Sequence, residues 1–132
     1  MMKMISIPNL LITDRAMDWL MAGIEGRDQS DLTYSPSTNW QQAGELIDKY
    51  AMGVQAGFVN EWRAIYKQNG KYIPGKTAQT AICRAVIAAK IGFTVDVPEE
   101  FMAPEFYDPL HREWVEKQDR FLSSRVPSQI AR

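Results

Sequence analysis

Two short segments with strand-like composition, MGVQAGF (52–58) and EWRAIYK (61–67), are separated by only two residues. A connection this short joins antiparallel strands, whereas parallel strands need a crossover of a dozen or more residues. Asn69 and Gly70 then form a strong turn dipeptide that would lead the chain into a third segment, KYI. Side chains of EWRAIYK alternate between two faces, as in a half-exposed strand. The centre of the chain therefore predicts a small, mainly antiparallel sheet.

Three further segments predict α-helices. Thr13 is a favourable N-cap for the first, Ser37 or Thr38 for the second, and Thr77 for the third. Gly44, inside the second helix, costs about 1 kcal/mol relative to alanine and so predicts a close approach of another backbone. The apolar residues at helical spacing are Met17, Leu20, Met21 and Ile24, then Trp40, Ala43, Ile47 and Tyr50, then Ala81, Ile82, Ala85, Val86 and Ala89. Together with the sheet they predict an α+β fold, an α/β sandwich of helices packed on strands.

The length of 132 residues fits one domain with an extension. We place the domain at residues 1–102 and the extension at 103–132. Asp108 followed by Pro109 is a good helix start, so the extension predicts an added C-terminal helix. That helix either packs on the domain or contacts another subunit, which would make a homo-oligomer.

Composition excludes several classes of protein. No apolar run approaches the roughly 20 residues that a membrane span needs, and the N-terminus lacks the cleavage site of a signal peptide. A net charge of −1 gives no general support for nucleic-acid binding. One histidine, His111, and one cysteine, Cys83, cannot form the usual structural zinc site. We expect a cytoplasmic protein with no metal and no cofactor.

The segment GKYIPGKT (70–77) fits the phosphate-loop pattern G-x-x-x-x-G-K-[ST]. Such a loop follows a buried strand of a parallel sheet, and this chain has too little length for that sheet. The preceding strand also alternates, and Asp96 is a poor candidate for a magnesium ligand. An enzyme that hydrolyses nucleoside triphosphates is therefore the least favoured interpretation. Lys76 and Thr77, at the start of the third helix, remain possible contacts for an anion.

The densest polar cluster is YSPSTNW (34–40), just before the second helix. A capped helix start, with Pro36 shaping the entry, explains Ser37 or Thr38. Hydroxyls, an amide and two aromatic rings around helix N–H groups would also suit a small ligand with phosphate, ribose and base. Both interpretations stay open. The candidate ligand-binding residues of this segment are Tyr34, Ser35, Ser37, Thr38, Asn39 and Trp40.

Arg84 stands within the apolar third helix. It is either a surface residue whose stem covers apolar side chains, or a single charge at the helix edge that meets an anion. In the second case it joins the ligand-binding residues.

Several segments resemble, in this order, two related sets of small phage proteins, the NinX-like family and proteins with the phage ABA-sandwich domain. The segments are YSPSTNWQQAGELIDKY (34–50), WRAIY (62–66), GKTAQTAICRAVIAAKIG (75–92) and VPEE (97–100), and the resemblance covers about residues 13–101. It implies a phage origin, the cytoplasm of the infected bacterium and a layered fold of helices and sheet. It implies no reaction, and it favours Thr77 as a helix cap over a phosphate loop.

Two functions from different classes follow. The first is a non-catalytic accessory protein that sequesters a small nucleotide-like signal and so counters host defence. The second is an inhibitor that binds a host protein through aromatic anchors of the extension, Phe106, Tyr107 and Trp114.

Overall fold

The computed structural model describes residues 3–57, 61–67 and 70–103. Its helices are α1 (Asp14–Ile24), α2 (Trp40–Tyr50) and α3 (Ala78–Lys90), and its strands are β1 (Met4–Pro8), β2 (Gly53–Ala56), β3 (Trp62–Ile65), β4 (Ile73–Gly75) and β5 (Thr94–Pro98). Two 3₁₀ turns, Asn9–Leu11 and Glu99–Met102, follow β1 and β5. The predicted α+β class is confirmed. The predicted C-terminal helix lies outside the described residues, and the division at residue 102 stays a prediction.

The central strands form the predicted antiparallel arrangement, in the order β2-β3-β4. Gly53 of β2 lies opposite Ile65, and Ala64 of β3 lies opposite Ile73 of β4. The alternation expected for β3 is only partial, because Ala64 and its neighbour Ile65 are both buried. Gly70 has a φ of 104°, a conformation that favours glycine, as expected for the turn into β4.

A second antiparallel sheet of two strands pairs β1 with β5. Sequence reasoning missed β1. Its alternation was present, since Ile5 and Ile7 are the partly buried residues of an otherwise exposed strand. Backbone hydrogen bonds extend the pairing at one end, where Asn9 donates to the carbonyl of Phe93 at 2.7 Å.

Helix starts follow the predicted caps in two cases of three. The Thr13 hydroxyl accepts from the Ala16 N–H, and Thr77 forms a reciprocal capping box with Thr80. The expected cap of α2 at Ser37 or Thr38 is wrong, because Asn39 caps this helix and its side chain accepts from the N–H of Gln42.

Helix α3 is the centre of the core. It contacts α1, α2 and all three strands of the β2-β3-β4 sheet, and residues 81–87 are buried without exception. Each fully buried Ile or Val side chain of this stretch contributes about 1.5–3 kcal/mol relative to an exposed one. Cys83 is among the buried residues, and desolvation raises the pKa of its thiol well above its ordinary value. Cys83 is therefore a packing residue of the core.

Two glycines differ in what surrounds them. A Cβ on Gly75 would lie 2.5 Å from the backbone nitrogen of Ala81, so β4 approaches α3 as only glycine permits. A Cβ on Gly44 would meet nothing within 4 Å. The close backbone approach predicted for Gly44 is therefore wrong, and it occurs at Gly75 instead.

Candidate ligand-binding surface at the start of α2

The chain before α2 is a fixed turn. The carbonyl oxygen of Ser35 accepts hydrogen bonds from the backbone N–H groups of Thr38 and Asn39, at 3.1 and 2.9 Å. The Gln42 side chain reaches back from the first turn of α2, accepts from the N–H of Ser35 at 2.6 Å and donates to the carbonyl of Thr33 at 2.9 Å. These bonds fix the backbone on which the predicted site residues stand.

Ser37 anchors this turn to α1. Its N–H and its hydroxyl donate to the two carboxylate oxygens of Asp18, each at 2.9 Å, and both residues are buried. Burial raises the pKa of Asp18 from 3.8 to about 7, although the two hydrogen bonds from Ser37 lower it. Ser37 is thus a supporting residue beneath the surface.

The six predicted residues of YSPSTNW do not form one surface. Tyr34 and Ser37 are buried, Ser35 is partly buried, and Thr38, Asn39 and Trp40 are exposed. The buried Tyr34 ring is covered by the guanidinium of Arg27 at 4.3 Å from its centroid. The surface that a ligand can reach at the start of α2 therefore comprises Thr38, Asn39 and Trp40, which we name the α2-start surface.

Arg84 does not lie where the sequence placed it. It is fully buried, which excludes both a surface position and the edge of the helix. One guanidinium nitrogen donates to the carbonyl of Ile12 at 3.4 Å, and the Arg84 carbonyl accepts from the Asn9 side chain at 3.0 Å. The apolar stripe of α3 predicts that only one face of the helix is covered. In the structure, the 3₁₀ turn after β1 also covers the face that carries Arg84.

The two predicted anion contacts have structural partners. The ammonium of Lys76 lies 3.9 Å from a carboxylate oxygen of Asp14, and the Thr77 hydroxyl accepts from the N–H of Thr80 at 3.1 Å. Gly75 ends β4 and Ala78 begins α3, so only two residues connect the strand to the helix. Residues 70–77 thus form a turn, an antiparallel strand and a helix cap. An anion contact at Lys76 or Thr77 stays a prediction.

Sequence reasoning missed a cluster at the other end of α2. The rings of Tyr50 and Tyr66 lie 5.2 Å apart, and three lysines lie over them, Lys49, Lys67 and Lys90. These residues come from three separate parts of the chain. The available signal was the pairing of Lys with Tyr in the dipeptides at 49–50 and 66–67.

Metal-binding clusters and membrane-spanning helices are absent from the described ranges. No group of three or more His, Cys, Asp or Glu side chains in residues 3–57, 61–67 and 70–103 is placed to hold a metal ion. Among the helices of these same residues, none is long and apolar enough to cross a membrane.

The family described as "Bacteriophage P22, NinX" matches residues 13–90, from the cap of α1 to the last residue of α3. The chain belongs to this phage family, and the resemblance to NinX-like proteins is confirmed. The match includes the α2-start surface and all five residues of the lysine–tyrosine cluster, Lys49, Tyr50, Tyr66, Lys67 and Lys90. No curated protein matches the chain.

Proposed function

We propose that this NinX-family protein is a non-catalytic phage accessory protein that acts in the cytoplasm of the infected bacterium. In this proposal it binds and sequesters a small nucleotide-like signalling ligand and so counters host defence. Membership of a phage family supports the accessory role. The observation that supports ligand binding is the α2-start surface, where a hydroxyl, an amide and an indole are exposed on a fixed turn.

The chemistry of this surface suits a nucleotide. Trp40 is 57% exposed, so much of its side chain is accessible to a base that stacks on it. Thr38 offers a hydroxyl beside it, and the N–H groups in the first turn of α2 favour a negatively charged phosphate. Asn39 uses its side-chain oxygen for the cap, which leaves its amide NH₂ as a donor.

Rigidity supports the same proposal. The Asp18–Ser37 hydrogen bonds and the Gln42 contacts hold the turn before any ligand binds. A surface that is already ordered loses less conformational entropy on binding, and this loss is a large part of the cost of association. Sequestration needs tight binding without turnover, which a preorganised surface favours.

The test is mass spectrometry of the small molecules that heat releases from protein purified from defence-activated cells. We expect a stoichiometric nucleotide from the wild type and from Trp62→Ala, and at least a tenfold smaller yield from Trp40→Ala and Thr38→Ala, about 1.4 kcal/mol in binding. Trp62 is a matched control, since it is 39% exposed on β3. Full retention by Trp40→Ala and Thr38→Ala would reject the α2-start surface, and an empty wild type would reject sequestration.

The protein-binding alternative rests on Phe106, Tyr107 and Trp114, which lie outside the described residues. Deletion of residues 103–132 separates the two functions. The inhibitor requires the extension, whereas the α2-start surface lies within residues 38–40 and should keep its ligand. A pull-down from infected cells, with the full chain and with the shortened chain, measures whether binding of a host protein requires the extension.

A further inference from the structure

A cluster of cations and aromatic rings forms where the ends of three elements meet. Tyr50 is the last residue of α2, Tyr66 follows β3, and Lys90 is the last residue of α3. The ammonium of Lys90 lies 5.4 Å from the centroid of the Tyr50 ring and 5.8 Å from that of Tyr66. The ammonium of Lys67 lies at similar distances, 5.8 and 5.4 Å. Two positive charges thus converge on one pair of rings.

Glu25, the C-cap of α1, holds one ring of this pair, that of Tyr50. Its carboxylate accepts from the Tyr50 hydroxyl and from the ammonium of Lys49, the latter at 2.8 Å. Partial burial raises the pKa of Glu25, but these two hydrogen bonds and the charge of Lys49 outweigh burial and hold it below its usual range. Glu25 therefore neutralises Lys49 and leaves Lys67 and Lys90, which form no ion pair with any described residue.

The Tyr66 ring also lines a cleft of about 100 Å³ between α3 and residues 70–73. The cleft has an apolar floor on α3, a lysine at its rim and two aromatic walls. Its lining includes Tyr66, Lys71, Ala85, Ala88, Ala89 and Phe93. Phe93 is 65% exposed, so most of this ring contacts solvent when the cleft is empty. A flat ligand in the cleft would cover it.

Helix ends explain part of this arrangement. Lys49 and Lys90 lie in the last turns of α2 and α3, where positive charge favours the helix dipole. This does not explain Lys67, which has a φ of 49°. A non-glycine residue in this region costs about 1–3 kcal/mol, and such residues cluster at functional sites. Nor does it explain the exposed Phe93 or Lys71 at the cleft rim.

We propose that this cleft binds a mononucleotide. The base lies between Tyr66 and Phe93 on the alanine floor, and the phosphate contacts Lys67, Lys90 and Lys71. Aromatic walls favour the base by stacking, and the lysines favour the phosphate dianion. Because the cleft is as small as about 100 Å³, we expect it to take a single base rather than several stacked bases. The cleft is distinct from the α2-start surface, because α2 has 11 residues and is about 16 Å long.

Calorimetric titration of the full chain with adenosine 5′-monophosphate, at 50 mM and 500 mM salt, tests the proposal. We expect saturable binding that weakens at high salt, because exposed charges are screened. The paired variant Lys67→Gln/Lys90→Gln, and separately Phe93→Ala, should each weaken binding at least tenfold. Lys3→Gln removes a charge that is exposed and paired with Glu99, and should leave binding unchanged. Thermal melting confirms that each variant is folded.

Comparison ligands, Trp62→Ala and Trp40→Ala complete the experiment. Inorganic phosphate and an oligothymidylate should each bind at least tenfold more weakly than the mononucleotide, and Trp62→Ala, on β3 and outside the cleft lining, should bind it normally. The proposal is overturned if the wild type does not bind, if the lysine and Phe93 variants bind normally, or if either comparison ligand binds as tightly. Loss of binding in Trp40→Ala alone would also overturn it and would assign the nucleotide to the α2-start surface. The proposed function then stands while the cleft proposal fails.

Discussion

Asp18 and Ser37 are joined by two hydrogen bonds of 2.9 Å across 19 residues of sequence. The Ser37 N–H and hydroxyl meet a buried carboxylate whose pKa is about 7. The turn before α2 is therefore held by a group whose charge changes near neutral pH.

Asp18→Asn should remove a pH dependence of stability. The folded-state pKa is raised from 3.8 to about 7, so the contribution of Asp18 to stability is fully present below pH 3.8 and is lost as the pH rises through 7. A tenfold change in a proton-binding constant corresponds to about 1.4 kcal/mol, which limits the effect to roughly 4 kcal/mol. The asparagine side chain would keep both hydrogen bonds, accepting from the Ser37 N–H and donating to its hydroxyl.

Urea unfolding between pH 4 and 8 measures this difference. Between pH 4 and pH 8 the wild type should lose stability relative to Asp18→Asn, so the difference between their free energies of unfolding should change across this interval. Asp48→Asn removes the same charge from an exposed position of α2 and serves as the control. Parallel profiles for the wild type and Asp18→Asn would contradict the prediction.

Gly75→Ala and Gly44→Ala should act in opposite directions. At Gly75 the new methyl group would lie 2.5 Å from the Ala81 nitrogen and 2.6 Å from the Thr80 hydroxyl, so the strand must move. Overpacking of this kind costs about 1–3 kcal/mol or more. At Gly44 the methyl group meets nothing within 4 Å, and alanine in a helix interior gains up to about 1 kcal/mol. Chemical denaturation measures the free energy of unfolding of both variants. Changes of the same sign and size in the two would contradict the difference in packing between Gly75 and Gly44.

Asn39→Ala should destabilise the protein, and Thr38→Ala should not. Asn39 provides the cap of α2, and loss of a cap costs about 0.5–2 kcal/mol. The Thr38 hydroxyl is exposed and has only a long contact of 3.4 Å with the Ser35 carbonyl, so we expect a change within about 0.5 kcal/mol. Asn39→Asp keeps the cap and should restore stability. Melting temperatures that rank Thr38→Ala below Asn39→Ala would assign the cap to Thr38.

Arg84→Ala should unfold more readily, whatever its effect on a ligand. The side chain is fully buried in α3, and its removal leaves a cavity as well as a lost hydrogen bond to Ile12. Truncation of a large buried side chain costs roughly 2–5 kcal/mol. Arg27→Ala is the matched control, because Arg27 is exposed over the Tyr34 ring and such contacts contribute about 1 kcal/mol. Equal unfolding midpoints for the two variants would argue against the buried position.

Local features of the fold were predictable from the sequence. Thr13 and Thr77 cap their helices through residues three positions away, and Gly70 supplies a positive φ within one turn. The cap of α2 was displaced by one or two residues, because Ser37, Thr38 and Asn39 are all good caps by residue type. The contact of Ser37 with Asp18, 19 residues away, occupies the Ser37 hydroxyl and so removes Ser37 as a cap.

Features that depend on distant parts of the chain were not predictable. The burial of Arg84 depends on Ile12 and Asn9, more than 70 residues earlier. The Tyr50–Tyr66 pair depends on how α2 ends beside β3, which no local pattern specifies. A single sequence gives the periodicity of each element but not which neighbour covers each face.

The central position of α3 has a thermodynamic consequence. Because this helix contacts α1, α2 and each strand of the larger sheet, none of these elements can detach without exposing it. The described part of the chain should therefore melt in a single cooperative transition. A ligand bound at either end of α2 would raise that one melting temperature, since binding to the native state alone shifts the unfolding equilibrium. Thermal shift of the whole protein thus reports a ligand before its binding site is known.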